Sequence, residues 1–348
     1  MIKRVKNFNL KKLNTFRMDV SAGEFIEYDS VADLLDIDFD TLPKPVISLG
    51  KGSNLLFTKD FPGTVLHSDI DFIYELPEDS RLYEGMPDGT VLVSAGAGVE
   101  MDRLCGWAAD KGLWGIENLS HIPGDAGAAA VQNIGAYGTE FADVAVNINC
   151  YDIEEEEFTH FTAEECGYAY RDSVFKHPGF KGRYIVTNVI IALSENKGPV
   201  LGYGQVKEAV GQASMGRPVT PGIVRKVITE IRKAKLPEPS VTGSAGSFFK
   251  NPVISIEQFN AIRKKSCCEV PHYILEDGVK IPAAWLIDQC GWKGRTHGNA
   301  GVHSGQPLVL INATGKARPE ELIELKDLII ASVNERFGIQ LIPEVEII

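Results

Sequence analysis

IPGDAGAAAVQNIGAYG, residues 122–138, is the stretch that decides how the rest of this chain is understood. Ile122, Pro123, Gly124, Gly127, Ala128, Gln132, Asn133, Gly135, Ala136 and Gly138 belong to a run almost without bulky side chains, too long for a single turn. Glycine and alanine let a backbone approach a ligand closely, and successive N–H groups then form an anion-binding nest. The run is therefore expected to be a loop laid along an extended ligand such as a dinucleotide. A shorter glycine-rich stretch, Gly50, Lys51, Gly52, Ser53 and Asn54, follows a predicted strand and reads alone as a plain turn or as a second nest. Gly96-Ala97-Gly98 sits between a predicted strand and helix, but Met101 stands where the dinucleotide fingerprint needs its third glycine. No Walker A loop is present, so any dinucleotide is held in another way.

Outward from this centre, apolar periodicity alternates between the two regular structures. Short strands are predicted at 45–49 and 64–67, another at 90–95, and longer ones, rich in β-branched residues, at 145–153 and 184–193. Glu154–Glu157 is expected at a solvated hairpin tip. Helices are predicted at 99–111, stopped by Gly112, at 223–235, stopped by Pro237, and at 282–290. A strand is expected at 308–312. Leu322, Leu325, Ile329, Val333 and Phe337 form a core stripe along a last helix at 319–337. Residues 236–246, rich in Pro, Gly and Ser, read as a linker or an active-site loop. Helices and strands intermixed throughout point to mixed α and β layers.

The bulk properties remove several function classes. The 348 residues suffice for two or three domains, and 44% hydrophobic with 24% charged content is ordinary for a globular chain. A net charge of −12 argues against a nucleic-acid partner, though it leaves room for an anionic small ligand opposed by local cations. The six cysteines, Cys105, Cys150, Cys166, Cys267, Cys268 and Cys290, contain no C-x-x-C pair, and the histidines show no HExxH. Buried or idle thiols and no metal are the expectation. The start lacks the apolar core of a signal peptide, and no stretch has the length of a membrane span, so a cytoplasmic protein is expected.

Three further places hold candidate chemistry. In Gly243-Ser244-Ala245-Gly246-Ser247-Phe248-Phe249, Ser247 follows the second glycine, so the segment is not a G-x-S-x-G elbow. No histidine or aspartate stands out as its partner, which disfavours a serine hydrolase and leaves either a structural loop or another use of the hydroxyl. Arg171, in Tyr170-Arg171-Asp172-Ser173, reads alone as half of a surface ion pair. Glu344 reads alone as an exposed acid near the C-terminus.

Together and in order, these segments resemble the UDP-N-acetylenolpyruvoylglucosamine reductase family. The matching motifs are NTFRMDV (14–20), GKGSNLLF (50–57), GIENLS (115–120), IPGDAGAAAVQNIGAYG, YRDSVFK (170–176), GYGQV (202–206), KLPEP (235–239), GSAGSFFKNP (243–252), WLIDQCGWKG (285–294) and LIPEVEI (341–347). QNIGAYG and GSFFKNP are the most specific. The GYG insertion makes the chain look like the longer of the family's two architectural types. The resemblance implies an FAD-binding fold of two subdomains of the vanillyl-alcohol oxidase type plus a separate α+β substrate-binding domain. By this division, residues 1–67 with the final strand at 340–348 form the first FAD subdomain, 68–236 the second, and 237–339 the substrate domain.

The family's activity implies that hydride passes from NADPH through FAD to C3 of UDP-N-acetylglucosamine enolpyruvate, giving UDP-N-acetylmuramate for peptidoglycan. Gly50 to Asn54 and the 122–138 stretch then match FAD-binding positions. Ser247 matches the donor of a proton to C2, and Arg171 and Glu344 match residues that stabilise the charge developing beside the pyruvyl carboxylate. Tyr203, Lys235 and Asn251 match contacts to the uridine diphosphate, with Tyr137, Tyr170, Arg232 and Gln306 as further substrate contacts. No obligatory protein partner is implied. The chain departs from relatives in three ways: Ala128, Ala129 and Ala130 stand where hydroxyl residues are frequent, Asp125 puts an acid beside them, and Glu346 replaces a common arginine. Two rivals remain: an FAD-linked sugar or lactone oxidase, and a flavin- or nucleotide-binding protein without catalysis.

Overall fold

Tyr184–Ser194 carries Ile185, Val186, Val189, Ile190, Ile191 and Leu193 almost without interruption, and such a strand belongs in the middle of a sheet covered on both faces. In the computed structural model, which describes residues 1–266 and 268–348, it does lie at the centre. It pairs antiparallel with Ala145–Asp152 on one side and Thr90–Gly96 on the other, and Glu157–Thr162 and Ile73–Glu75 form the edges. Glu154, Glu155 and Glu156 are exposed at the turn between Ala145–Asp152 and Glu157–Thr162, as their charge requires. Helices Met101–Asp110 and Ala126–Gln132 join the core of this sheet through Leu104, Cys105, Ala108, Ala129 and Ala130, against Ile148, Val189 and Ile191.

A second core joins Tyr151 and Ile185 to Ile26, Tyr28, Leu34 and Leu66. These last residues accompany a four-stranded sheet ordered Lys3–Asn9, Ser21–Tyr28, Phe61–Ser68, Val46–Ser48. Helices Val206–Ser214 and Pro221–Lys235 pack around Trp114 through Val206, Val210, Val224, Val227 and Ile228. Residues 1–8, 22–51 and 62–234 form one compact unit with these cores.

The other unit comprises residues 9–21, 52–61 and 235–348. Its main sheet is ordered Gly243–Ser247, Val309–Asn312, Ala300–Val302, Thr296–His297, all antiparallel. The helix Pro319–Phe337 buries Leu322, Leu325, Ile329 and Val333, while Phe337 is half-buried against the Trp285 ring. Close to the C-terminus, Glu346–Ile347 pairs in parallel with Leu55–Leu56. The α+β class expected from the sequence is the class observed.

Two local expectations are corrected. The 122–138 stretch is not all loop, because Ala126–Gln132 is a helix. The alanines that suggest room for a ligand are also the best helix formers, and the helix buries Ala126, Ala129 and Ala130. Residues 243–246, expected as part of a linker or active-site loop, belong instead to the strand Gly243–Ser247 paired with Val309–Asn312. Its register shifts between Ser244 and Ser247, where Gly246 has φ +67°, a bulge that glycine enters at no steric cost. Among the thiols, Cys105, Cys150 and Cys166 are buried, Cys268 is exposed and Cys290 lies between; Cys267 falls outside the described residues.

Candidate functional site

In the first unit Gly50 and Lys51 meet the 122–138 stretch. The strand Thr90–Gly96 runs into Ala97, and the helix Ala126–Gln132 starts directly against it. The Ala126 N–H donates to the Val99 carbonyl at 2.8 Å and the Gly127 N–H to the Ala97 carbonyl at 3.1 Å. A Cβ at position 127 would stand 2.8 Å from that of Ala97, so Gly127 makes the close approach possible. These two amides are thereby bound to the sheet and not offered to a ligand. Gly50 is held on the other side, where an added Cβ would lie 2.6 Å from Asp125 Oδ2.

Asp125 thus turns its carboxyl toward Gly50 and Lys51, where the Lys51 N–H donates to it. It is 4% exposed, and its Oδ1 has no hydrogen-bond partner among the described residues. Burial pushes its pKa up to about 6, against the pull of Lys51 and His67 and with help from Glu100. A carboxyl raised in the folded state above its ordinary 3.8 destabilises the fold wherever it is ionised there, so stability falls as pH rises from about 4 to about 6. Asp125→Asn can keep the acceptor for Lys51 without the charge. It is expected to raise the unfolding free energy by about 2–3 kcal/mol at neutral pH, an advantage that vanishes near pH 4. Thermal unfolding across that range checks this; a variant no more stable than the parent at neutral pH would refute it.

The three alanines divide. Ala128 is exposed, whereas Ala129 is 3% and Ala130 0% exposed. A hydroxyl at either of the last two would enter the core, so only position 128 has a side chain to lend to a ligand.

The end of the same helix is tied to the Tyr170–Ser173 turn. Asn133 ends the helix in the left-handed region, φ +45°, and its Nδ2 donates to the carbonyl of Ala169 at 2.8 Å and to Glu140 Oε2 at 2.9 Å. Arg171, also left-handed at φ +56°, donates Nη1 to the Asn133 carbonyl at 3.3 Å and Nη2 to that of Gly135. Its guanidinium lies over the Tyr170 ring, 5.2 Å from the centroid. Ser173 Oγ donates to the Val131 carbonyl at 2.6 Å, and Lys176 bridges Gln132 Oε1 and the Arg171 carbonyl at 2.8 and 2.9 Å. Gln132 keeps a buried Nε2 with no partner among the described residues. The plane of Arg171 is therefore set by the backbone of the QNIG segment, and the non-glycine residues with positive φ here mark a strained, over-determined region.

Tyr137, at φ +51°, is the next such residue. Asn118, fully buried, donates its Nδ2 to the carbonyls of Tyr137 at 3.0 Å and Val200 at 2.9 Å. The Tyr137 ring meets that of Tyr203 edge-on, 6.0 Å between centroids. Arg232 donates Nε to the His121 carbonyl at 3.1 Å, and burial lowers its pKa against the pull of Tyr137. Asn118 lies in the GIENLS motif, where the sequence gives it no role; the position of its amide beneath Tyr137 is visible only in three dimensions. Ala136 and Gly138 flank Tyr137, and Ile122, Pro123 and Gly124 precede the helix in the same unit.

The second unit places Ser247 and Glu344 on adjacent backbone. Phe248 and Phe249 are buried anchors, 0% and 1% exposed. The Glu344 N–H donates to the Phe248 carbonyl at 2.8 Å, and Phe249 bridges to Pro343. Asn54 Nδ2 donates to the Glu344 carbonyl at 3.3 Å and the Glu346 N–H to the Asn54 carbonyl at 3.0 Å, so Gly52, Ser53 and Asn54 belong with these residues. Ser247 and Glu344 are half-buried, and Lys235 is exposed. Asn251 Oδ1 accepts from the Ala283 N–H at 2.9 Å, at the start of the helix Ala283–Gln289, and Gln306 lies in the turn between Ala300–Val302 and Val309–Asn312.

Residues 40–157 match the family described as FAD binding domain, and residues 238–348 match UDP-N-acetylenolpyruvoylglucosamine reductase, C-terminal domain. A UDP-N-acetylenolpyruvoylglucosamine reductase of Bacteroides fragilis is 44% identical over 345 residues, covering 99% of either chain. The chain belongs to the UDP-N-acetylenolpyruvoylglucosamine reductase family. The corresponding reductase of Chromobacterium violaceum is 42% identical over 340 residues, 97% of this chain and 96% of its own. A crystal structure of the reductase from Thermus caldophilus shares the fold, with TM-score 0.64 at 24% identity over 100% of this chain and 98% of that one. Membership in this reductase family, with its FAD binding domain, makes the chain an FAD-dependent oxidoreductase. None of its described helices is long and apolar enough to cross a membrane.

Proposed function

We propose that this reductase-family chain converts UDP-N-acetylglucosamine enolpyruvate to UDP-N-acetylmuramate in peptidoglycan precursor synthesis, with NADPH as the hydride-donating co-substrate. The observation that carries this is the pairing of an FAD-binding region with a reductase-specific C-terminal region in which Ser247 and Glu344 lie on adjacent strands of backbone. The glycine-rich stretches fit a flavin dinucleotide by their chemistry: runs of small residues, one exposed alanine at position 128, and an Asp125 carboxyl bound to the Lys51 N–H. When bound, FAD supplies the hydride chemistry.

The chain's own residues then do four things. Gly50 to Asn54, with Ile122, Pro123, Gly124, Gly127, Ala128, Gln132, Asn133, Gly135, Ala136 and Gly138, hold the cofactor. Lys235, Tyr203 and Asn251 hold the uridine diphosphate, with Tyr137, Tyr170, Arg232 and Gln306 as further contacts. Arg171, its fork oriented by two carbonyls, pairs with the pyruvyl carboxylate as charge builds there. Ser247 Oγ gives its proton to C2, since an enolate-like carbon is basic enough to take it from a hydroxyl. The division into FAD subdomains 1–67 with 340–348 and 68–236, and a substrate domain 237–339, is part of this proposal, as are a cytoplasmic location and the absence of nucleic-acid, membrane or obligatory protein partners.

Glu344 is assigned a hydrogen bond from its protonated carboxyl to the developing charge. Glu344→Gln retains a donor and is expected to keep about a tenth of the rate of flavin reoxidation by the enolpyruvyl substrate, while Glu344→Ala loses about 10²-fold. Stopped-flow reoxidation, followed in the yellow absorbance band of oxidised flavin, checks this; equal rates for Ala and the parent would remove the role. The whole proposal is tested anaerobically: NADPH should bleach the bound flavin, and the enolpyruvyl sugar nucleotide should restore its colour. Reoxidation by oxygen alone, with no response to the sugar nucleotide, would mean an oxidase instead.

A further inference from the structure

The turn between strands Ala300–Val302 and Val309–Asn312 carries a histidine to which the reaction above gives no part. His303 follows the first strand, and its own N–H donates to the Val309 carbonyl at 2.9 Å, closing the hairpin. Its ring Nδ1 lies 3.2 Å from the N–H of Gly305 and 3.2 Å from the N–H of Gln306. Both partners are donors, so Nδ1 is the acceptor and the imidazole is neutral, with its proton on Nε2. Burial acts in the same direction, holding His303 below the ordinary histidine range, and no charged neighbour among the described residues contributes.

The turn also meets Lys235. A Cβ on Gly305 would lie 3.1 Å from His303 Cε1, a tight contact with the ring, and 3.6 Å from the Lys235 carbonyl oxygen, an ordinary one, so the tip packs directly against Lys235. Lys235 and Gln306, distant in sequence, are thus neighbours across residue 305.

We infer that His303 is a positioning residue for the sugar-nucleotide diphosphate: its neutral ring folds the 303–306 tip so that Gln306 and Lys235 are presented to the ligand together. The inference rests on the function proposed above. Protonation replaces the lone pair of Nδ1 with a third donor facing two N–H groups, and the tip opens. The diphosphate of a sugar nucleotide is a diester with no proton to gain near neutral pH, so an acid effect of this kind belongs to the protein.

The test is steady-state kinetics of the holoenzyme with the enolpyruvyl sugar nucleotide, from about pH 7.5 to about pH 5. His303→Ala is expected to raise KM about tenfold with kcat within about twofold of the parent. In the parent, KM should climb as pH falls through the histidine's range. His303→Asn places an amide oxygen where Nδ1 stood, and should restore the parent KM at neutral pH while abolishing the climb. The inference is overturned if His303→Ala leaves KM within about twofold, if asparagine rescues no better than alanine, or if the acid climb persists in His303→Asn. Should His303→Ala fail to fold or lose flavin, the asparagine variant and the parent pH profile decide alone. A parent enzyme that does not reduce the substrate at all would overturn the proposed function first; a competent parent with indifferent variants would overturn this inference only.

Discussion

Ser247→Ala is expected to slow reoxidation of the flavin by the enolpyruvyl substrate by about 10²–10⁴-fold, the usual worth of a positioned proton donor. Its reduction by NADPH should stay within about twofold of the parent. The split follows from geometry. Ser247 closes the strand Gly243–Ser247, opposite Val309, and the buried rings of Phe248 and Phe249 anchor the chain beyond it. Removing one hydroxyl leaves those anchors and the Glu344-to-Phe248 hydrogen bond in place. What is lost is the proton alone, so only the half-reaction that consumes one should suffer. Ser247→Cys, which still has a proton to give, should fall between alanine and the parent. Rapid-mixing measurements of both half-reactions distinguish these outcomes. If Ser247→Ala reoxidises within about tenfold of the parent, the proton comes from elsewhere.

Arg171→Lys carries the second large effect, a loss of about 10²–10³-fold in the same half-reaction. The charge is retained, so a role limited to overall attraction would tolerate the change. A lysine, however, has one compact ammonium and cannot hold both carbonyls while forking onto a carboxylate. In the structure the guanidinium spans the carbonyls of Asn133 and Gly135 and lies over the Tyr170 ring. Both residue types bear a Cβ, so the left-handed backbone at φ +56° is equally strained in either case, and the change isolates the head group. The flavin should remain bound, and kcat should fall more than KM rises. Retention of more than about a tenth of the parent rate would show that the fork is not used.

Much of the architecture is legible in the sequence. The strands expected at 145–153 and 184–193 are present as Ala145–Asp152 and Tyr184–Ser194, and the helices expected at 99–111, 223–235 and 319–337 as Met101–Asp110, Pro221–Lys235 and Pro319–Phe337. Each is long and strongly patterned, and the three helices are bounded by glycine or proline, so local signals agree with burial. Where composition has two meanings, the expectation fails. Alanine and glycine in 122–138 permit close approach to a ligand and also build a helix; packing on Ala97 selects the helix for Ala126–Gln132. The small residues of 243–246 resemble a loop, yet Val309–Asn312 offers them a ladder.

At the candidate site the contrast is sharper. Asp125 in the sequence is an acid misplaced beside an expected phosphate loop; in the fold it is a buried carboxyl bound to the Lys51 N–H. Three successive alanines look equivalent in the sequence, and only Ala128 faces outward.

The IPGDAGAAAVQNIGAYG stretch, with GSFFKNP and the late PEV, is enough to determine the family, and with it an FAD-dependent oxidoreductase, because such motifs are local and specific in combination. Tertiary structure alone decides which polar groups meet: Asp125 with Lys51, Asn118 with Tyr137, Arg171 with the QNIG carbonyls, His303 with the amides of Gly305 and Gln306. The physical reason is that a buried donor or acceptor must find a partner, and nearly all of these partners are backbone groups. Every residue has the same backbone groups, so no pattern of side chains can announce which of them will be near.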